Sequence, residues 1–259
     1  MNALITTSGR LIRLVGNVFK LLSYPFHWVL PKFRFSIPEY SPAKIRRANT
    51  SSVPKVIWQT NFTHRCSLPM YLNYLFNRLM SLDHDYRYVS TEARGDYLRE
   101  QAPQEVYEAY SKLTNGAAQA DLWRVTCLYN QGGIYMDIDA TLIWPLHRLL
   151  KGVTSALYIK ARKNDEITNY FLATVPGNPH FKQVMDRIVH NINHYDPKKG
   201  VYGTTGPVVL NEVLAGQTFE CRYRNLVCIQ GTFTNEYFQY IDKPRGKWTH
   251  INPEDLVKK

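Results

Sequence analysis

A chain of 259 residues can bury a full hydrophobic core, and 44% hydrophobic with 20% charged residues excludes a disordered or fibrous chain. The net charge of +11 sits mostly at one end: residues 1–55 hold nine Lys/Arg against the single acid Glu39, whereas residues 56–259 hold 23 against 20. Basic character confined to one end argues against a nucleic-acid-binding body. Cys66, Cys127, Cys221 and Cys228 show no CxxC pair and no zinc-finger spacing, so reduced thiols in a cytosolic compartment are expected.

The N-terminal stretch "MNALITTSGRLIRLVGNVFKLLSYPFHWVLPKFRF" has no uncharged apolar run long enough to span a membrane. Its periodicity is helical. Thr6, Arg10, Arg13, Asn17 and Lys20 fall on one face, and Leu4, Leu11, Ile12, Val15, Phe19 and Leu22 on the other. A cationic face opposite an aliphatic one is the pattern of a helix lying in a membrane surface, and Phe26, Trp28, Phe33 and Phe35 among Lys32 and Arg34 extend it. A helix packed on the protein body has the same pattern. Residues 36–52 are rich in Ser, Pro and basic side chains and read as a linker.

From residue 53 the pattern alternates. "PKVIWQT" reads as a strand, "PMYLNYLFNRLMSL" as a helix and "YRYVST" as a second strand. "GDYLREQ", "APQEVYEAYSKL" and "GAAQADLWRVTCLYNQ" read as helices, and "GIYMDIDATLI" as one continuous strand. Two more strands, "SALYIKAR" and "TNYFLATVPG", precede a helix in "NPHFKQVMDRIVHNINHY", and "NLVCIQG" is a late strand before an irregular tail. This order predicts an α/β domain over residues 53–259 with a largely parallel sheet, whose ligand lies at the carboxyl ends of the strands.

The strand at 133–143 ends on Asp137 and Asp139. Alternate strand residues share a face, so the two carboxylates are expected to converge. Like charges at that spacing repel unless a cation lies between them, and hard oxygen ligands suit Mg²⁺ or Mn²⁺. Gly132 and Gly133 stop the preceding helix and permit close backbone approach. On that helix Asp121 and Arg124 are three apart and share a face. They read either as a surface ion pair or as a carboxylate for sugar hydroxyls beside a guanidinium for an anionic donor.

The block "AAQADLWRVTCLYNQGGIYMDIDATLIWPL" resembles the centre of the DXD glycosyltransferases of family 32, which include fungal initiating mannosyltransferases and bacterial capsule or lipopolysaccharide enzymes. It is more distantly similar to the glucosylating domain of large clostridial toxins. The family pattern Asp-x-x-Arg, then Leu-Tyr-x-x-Gly-Gly-x-Tyr-x-Asp-x-Asp, is met at every position. "VPKVIWQT", "TGP" at 205–207 and "KWTH" resemble its looser elements, with Trp58 in place of a usual His and Asn61 where a Trp often follows.

The resemblance implies a Rossmann-type GT-A fold that takes a nucleotide-sugar donor and retains the anomeric configuration. Asp139 would bind Mn²⁺ or Mg²⁺ directly, and Asp137 the ribose or the metal. Asp121 and Arg124 would address the donor sugar and phosphate, with Tyr135 beside them. Trp58, Gln59 and Thr60 would cradle the base and ribose. Gly206 and Trp248 belong to the later donor-site elements, and His250 would be a last metal or phosphate contact. UDP-hexose and GDP-mannose both fit as donors, and the acceptor would be a glycan or lipid-linked glycan. With residues 4–35 on a membrane surface, the expected location is peripheral, on the cytoplasmic face, with a secretory lumen as the alternative. "YMDIDAT" also fits a haloacid-dehalogenase-type phosphatase whose nucleophile would be Asp137, and a non-catalytic sugar-binding protein is a third reading.

Overall fold

The structure is a computed structural model that describes residues 2–161, 165–244 and 246–258. A 28-residue helix, α1 (Asn2–Val29), opens the chain. Short strands β1 (Phe35–Ser36) and β2 (Tyr40–Ser41) lead to β3 (Val56–Thr60) and β4 (Arg65–Cys66). Next come α2 (Leu68–Met80), β5 (Asp85–Val89), α3 (Thr91–Gln101), α4 (Gln104–Lys112) and α5 (Gly116–Gln131). The centre holds β6 (Gly133–Met136), β7 (Ala140–Leu142), the one-turn α6 (Leu146–Leu149), β8 (Ala156–Lys160), β9 (Ile167–Thr174) and α7 (Pro179–Asn193). The C-terminal part adds α8 (Gly200–Thr204), α9 (Pro207–Leu214), β10 (Glu220–Tyr223), β11 (Cys228–Gln230) and α10 (Glu236–Gln239).

The α/β expectation holds, but the sheet is mixed. Its seven strands run β10-β8-β9-β6-β3-β5-β2. β3 pairs parallel with β5 and β6, as the sequence predicts, while β9 lies antiparallel between β6 and β8. The connection between β8 and β9 is too short for a crossover helix, so that pair can only be antiparallel. The segment expected as a linker contributes β2, which closes the far edge of the sheet against β5.

Each sheet face covers its own core. One gathers Trp123, Leu128, Tyr135, Tyr158 and Phe181 under α3, α4, α5, α7 and α9. The other gathers Tyr74, Ile57, Tyr86, Ile134, Met136 and Phe171 under α2 and the β7 region. Period-2 alternation along β6 sends Tyr135 to the first core and Ile134 and Met136 to the second.

Helix α5 shows how the sequence sets the frame. Asn115 caps it by accepting from the amides of Ala117 and Ala118, and Gly132 at φ 64° ends it. Gly133 follows at φ 100°, where an added Cβ would stand 2.6 Å from the Val56 carbonyl oxygen. Only glycine lets β6 enter that close to β3.

Helix α1 lies on the body. Ile5, Gly9, Ile12, Gly16, Ser23 and His27 are buried, and Ile5 and Ile12 form a small third core with Ile143, Ile229 and Phe233. The helix at residues 4–22 is borne out and extends at both ends. None of the helices among the described residues is long and apolar enough to cross a membrane.

Candidate functional site

The predicted single strand at 133–143 is broken. β6 ends at Met136, and the Ala140 amide bonds back to the Asp137 carbonyl at 2.9 Å to close a turn. The chain then leaves the main sheet as β7, which pairs antiparallel with β11. Asp137 and Asp139 therefore converge through a turn at the carboxyl end of β6, not through strand alternation. One side chain touches both: the Gln230 amide lies 3.3 Å from Asp137 Oδ2 and 3.2 Å from Asp139 Oδ1.

That turn is clamped from two sides. Gln59 donates to the Asp137 carbonyl at 3.0 Å while its own carbonyl accepts from the Tyr86 hydroxyl. From α2, Asn73 donates to the carbonyls of Ile138 and Ala140, and Asn77 donates to Ala140 and accepts from the Leu142 amide. Thr141 donates to the Asn73 side-chain Oδ1 at 2.7 Å. Buried polar groups fixed by this many bonds hold one backbone conformation.

Behind the turn lies a buried ion pair. Arg124 Nη2 is 3.0 Å from Asp121 Oδ1, and its Nη1 is 3.4 Å from Asp137 Oδ1 and donates to the Asn169 carbonyl at 2.7 Å. The guanidinium stands 4.2 Å from the Tyr135 ring centre, and the Tyr135 hydroxyl donates to Asp137 Oδ1 at 2.7 Å. Asp121 also accepts from Asn169 at 3.0 Å and Thr205 at 2.8 Å. Both members of the pair are only 5% exposed, so the surface-ion-pair reading is excluded.

Burial pushes the Asp121 carboxyl up to about 6, against the opposing pull of Arg124. The Asp139 carboxyl is also pushed up to about 6, first by burial and then by the negative charge of Asp137, with bonds from Gln230 and Gln239 working the other way. The Arg124 guanidinium is held charged by Tyr135, Asp121 and Asp137, which outweigh its burial. A cation between Asp137 and Asp139 would relieve the repulsion that raises Asp139. Two converging carboxylates with one amide between them fit a hard divalent ion. Among the described residues no three His, Cys, Asp or Glu side chains gather as a metal cage, so substrate oxygens and water would complete the ligand set.

Other sequence-derived candidates fall elsewhere. Trp58 donates from its indole nitrogen to the Gly132 carbonyl at 3.0 Å and packs edge-on to Trp123, so it joins β3 to the end of α5. Thr60 donates to the Val89 carbonyl at 2.7 Å. With Gln59 bound to the Asp137 backbone, these three residues tie β3 to its neighbours β5 and β6. Gly206 caps α9 beside Thr205 and lines a small recess with Asp121, Arg124 and Asn169. Trp248 stacks on Tyr202, with ring centres 6.1 Å apart. His250 faces Glu236 at 3.8 Å, and the structure does not gather it with the aspartate pair.

The sequence reading missed Gln230, Asn169, Asn73 and Asn77, and named Thr205 only within the family-like "TGP". Asn73 and Asn77 carried a local signal: two amides one helical turn apart in the apolar run "PMYLNYLFNRLM" must bond to something buried. Gln230 lies about ninety residues downstream, beyond the reach of local pattern.

Residues 69–156 match the family described as "Glycosyltransferase sugar-binding region containing DXD motif". That stretch is similar to a DXD glycosyltransferase region. It runs from the start of α2 to the start of β8 and contains Asn73 and Asn77 of the clamp, the ion pair and the aspartate turn. The matched stretch, about a third of the chain, lies on a mixed α/β frame. No curated protein matches the chain. Among solved structures it is similar to "PaToxG Glycosyltransferase", at 16% identity and a TM-score of 0.48, covering 80% of this chain and 78% of that one. The UDP-bound glycosyltransferase domain from the YGT toxin aligns at 14% identity and a TM-score of 0.40, covering 64% of this chain and 56% of that one.

Proposed function

We propose that the protein is a metal-dependent, retaining glycosyltransferase that moves a hexose from a nucleotide-sugar donor to a glycan or lipid-linked glycan acceptor. The observation that carries this reading is the convergence of Asp137 and Asp139 on one amide, with the buried Asp121–Arg124 pair directly behind them. In that reading Asp139 and Asp137 hold Mn²⁺ or Mg²⁺. When bound there, such an ion would supply charge neutralisation for the diphosphate that leaves the anomeric carbon.

This chain's own residues do the positioning. Arg124 is fixed by Asp121, Asn169 and the Tyr135 ring, so its charge lies beside Asp137 with no rotamer left to search. Asp121, oriented by Thr205 and Asn169, lines the adjoining recess as an acceptor for donor-sugar hydroxyls. The turn clamp of Gln59, Asn73 and Asn77 keeps the carboxylates at one separation. UDP-hexose and GDP-mannose both remain donors in this proposal. The basic, amphipathic N-terminus supports a peripheral location on the cytoplasmic face of a membrane, close to a lipid-linked acceptor.

A thermal-shift panel of UDP, GDP and CMP, each with and without Mn²⁺, tests the donor site. One nucleotide is expected to raise the melting temperature only when the metal is present, and Asp139→Ala is expected to abolish that shift. No shift with any nucleotide, or an unchanged shift in Asp139→Ala, overturns the reading.

A further inference from the structure

Helix α1 has three faces rather than two. At about 100° per residue the buried positions Ile5, Gly9, Ile12, Gly16, Ser23 and His27 form one side. Arg10 and Arg13 are exposed on the next side, with Thr6 and Asn17 between them. The third side, an arc of roughly 120°, carries Leu4, Leu11, Leu14, Val18, Leu21 and Leu22. These six are 50–68% exposed, and Trp28, near the C-terminal end of the helix, is 84% exposed.

The structure therefore rotates the apolar face that the sequence pattern suggests. Ile12 is consumed by docking, and the Phe19 ring stacks near Phe233 at 6.4 Å. Leu14, Val18 and Leu21 replace them on the open side. Helix α2 packs against the α1 cluster through Leu72, Phe76 and Met80, and its Leu79 is 63% exposed. An open apolar stripe of this length on a helix whose other side is already docked has no folding role.

We infer that this stripe is a docking surface for an anionic lipid bilayer, with Leu14, Val18 and Leu21 at its centre and Arg10 and Arg13 beside the headgroups. The charge pattern selects this occupant. Residues 2–38 contain five Lys/Arg and no Asp or Glu. A second copy packed on the same face would bring cations against cations, whereas anionic headgroups beside an apolar interior satisfy both parts of the surface.

The inference deepens the membrane attachment proposed above and is independent of the transferase chemistry. It also fixes the orientation of the donor site. The docked side of α1 holds the segment that follows Gln230: Lys20 donates to the Gly231 carbonyl at 2.8 Å, and Gly16 abuts Thr232 with no room for a Cβ. Further along, Asn235 donates to the Tyr24 hydroxyl. Gly231 in turn donates its amide to the Asp139 carbonyl at 3.1 Å. The helix joins the site rigidly to the lipid surface instead of tethering it.

The test is flotation of the full chain with vesicles of phosphatidylcholine, and of phosphatidylcholine with phosphatidylglycerol at roughly two to one. The protein is expected to float with the anionic vesicles and to shift its Trp28 emission to the blue, a change lost in Trp28→Phe. Leu14→Gln/Val18→Gln/Leu21→Gln is expected to reduce vesicle-bound protein by about tenfold, and Arg10→Gln/Arg13→Gln to remove the preference for anionic lipid. All five positions are exposed, so unchanged circular dichroism and nucleotide binding are expected of both variants. Wild-type protein that stays unbound with either vesicle overturns the inference, as does flotation indifferent to the triple substitution. A dimer in solution that the triple substitution dissociates, without vesicle binding, assigns the stripe to a second copy instead. Failure of the nucleotide panel would leave the flotation result standing, so the two readings fail separately.

Discussion

Arg124 and Asp137 stand 3.4 Å apart, and that contact joins the buried ion pair of α5 to the aspartate turn at the end of β6. One guanidinium thereby serves two carboxylates, since its other branch is 3.0 Å from Asp121. Removing it would leave Asp121 buried without its counter-charge.

For that reason Arg124→Ala is expected to cost about 3 kcal/mol or more of folding stability, measured by urea denaturation. Arg124→Lys keeps the charge but not the planar fork that reaches Asp121, Asp137 and the Asn169 carbonyl together. Its stability loss is expected to be smaller, while donor turnover falls on the order of a hundredfold.

The asparagine clamp predicts a structural defect that reaches the site. Asn77→Ala removes one of the two side-chain donors to the Ala140 carbonyl and the side-chain acceptor of the Leu142 amide, both buried. A loss of about 2 kcal/mol is expected in urea melts. Titration calorimetry is expected to show weaker Mn²⁺ binding as well, because the turn that spaces Asp137 and Asp139 loosens. Normal metal affinity in a destabilised Asn77→Ala would assign the clamp to folding alone.

The raised carboxyls give two pH signatures of opposite use. Asp139, pushed up to about 6, is protonated below that pH and then cannot hold a cation. Mn²⁺ affinity is expected to rise by up to about tenfold per unit toward pH 6 and level off above it. Asp121, also at about 6, binds its proton more tightly folded than unfolded, where a carboxyl titrates near 4. Its contribution to stability is present below about pH 4 and is lost, by up to roughly 3 kcal/mol, as pH rises through 6. Asp121→Asn is expected to remove that slope from a plot of stability against pH.

Two glycines separate strain from crowding. Gly133 at φ 100° and Gly152 at φ 82° both occupy the left-handed region, but a Cβ on Gly152 meets nothing within 4 Å. Gly152→Ala is expected to cost about 1 kcal/mol and Gly133→Ala about 3 kcal/mol or more, compared by thermal and urea melts. Equal costs would mean that the approach of β6 to β3 is not constrained by Val56.

Much of this protein was legible in the sequence. The bounds of α5 and the glycine pair that ends it follow from local rules of capping, periodicity and turn chemistry, while the site role of Asp121 and Arg124 came from the family-like block around them. The cationic N-terminal helix was legible as well, because its repeat lies within a few turns of one segment. What the tertiary structure alone decided is the direction in which side chains face after distant segments meet. The reversal of β9 made the sheet mixed, and the pull of β11 broke the predicted strand after Met136. Gln59 supports the Asp137 backbone from β3, and Gln230 reached the carboxylates from far along the chain. Ile12 turned inward and left Leu14, Val18 and Leu21 open. Local pattern fixes which residues share a face of an element, but the partner of that face is set by packing across the whole chain, where burying apolar area and satisfying buried amides must be solved together.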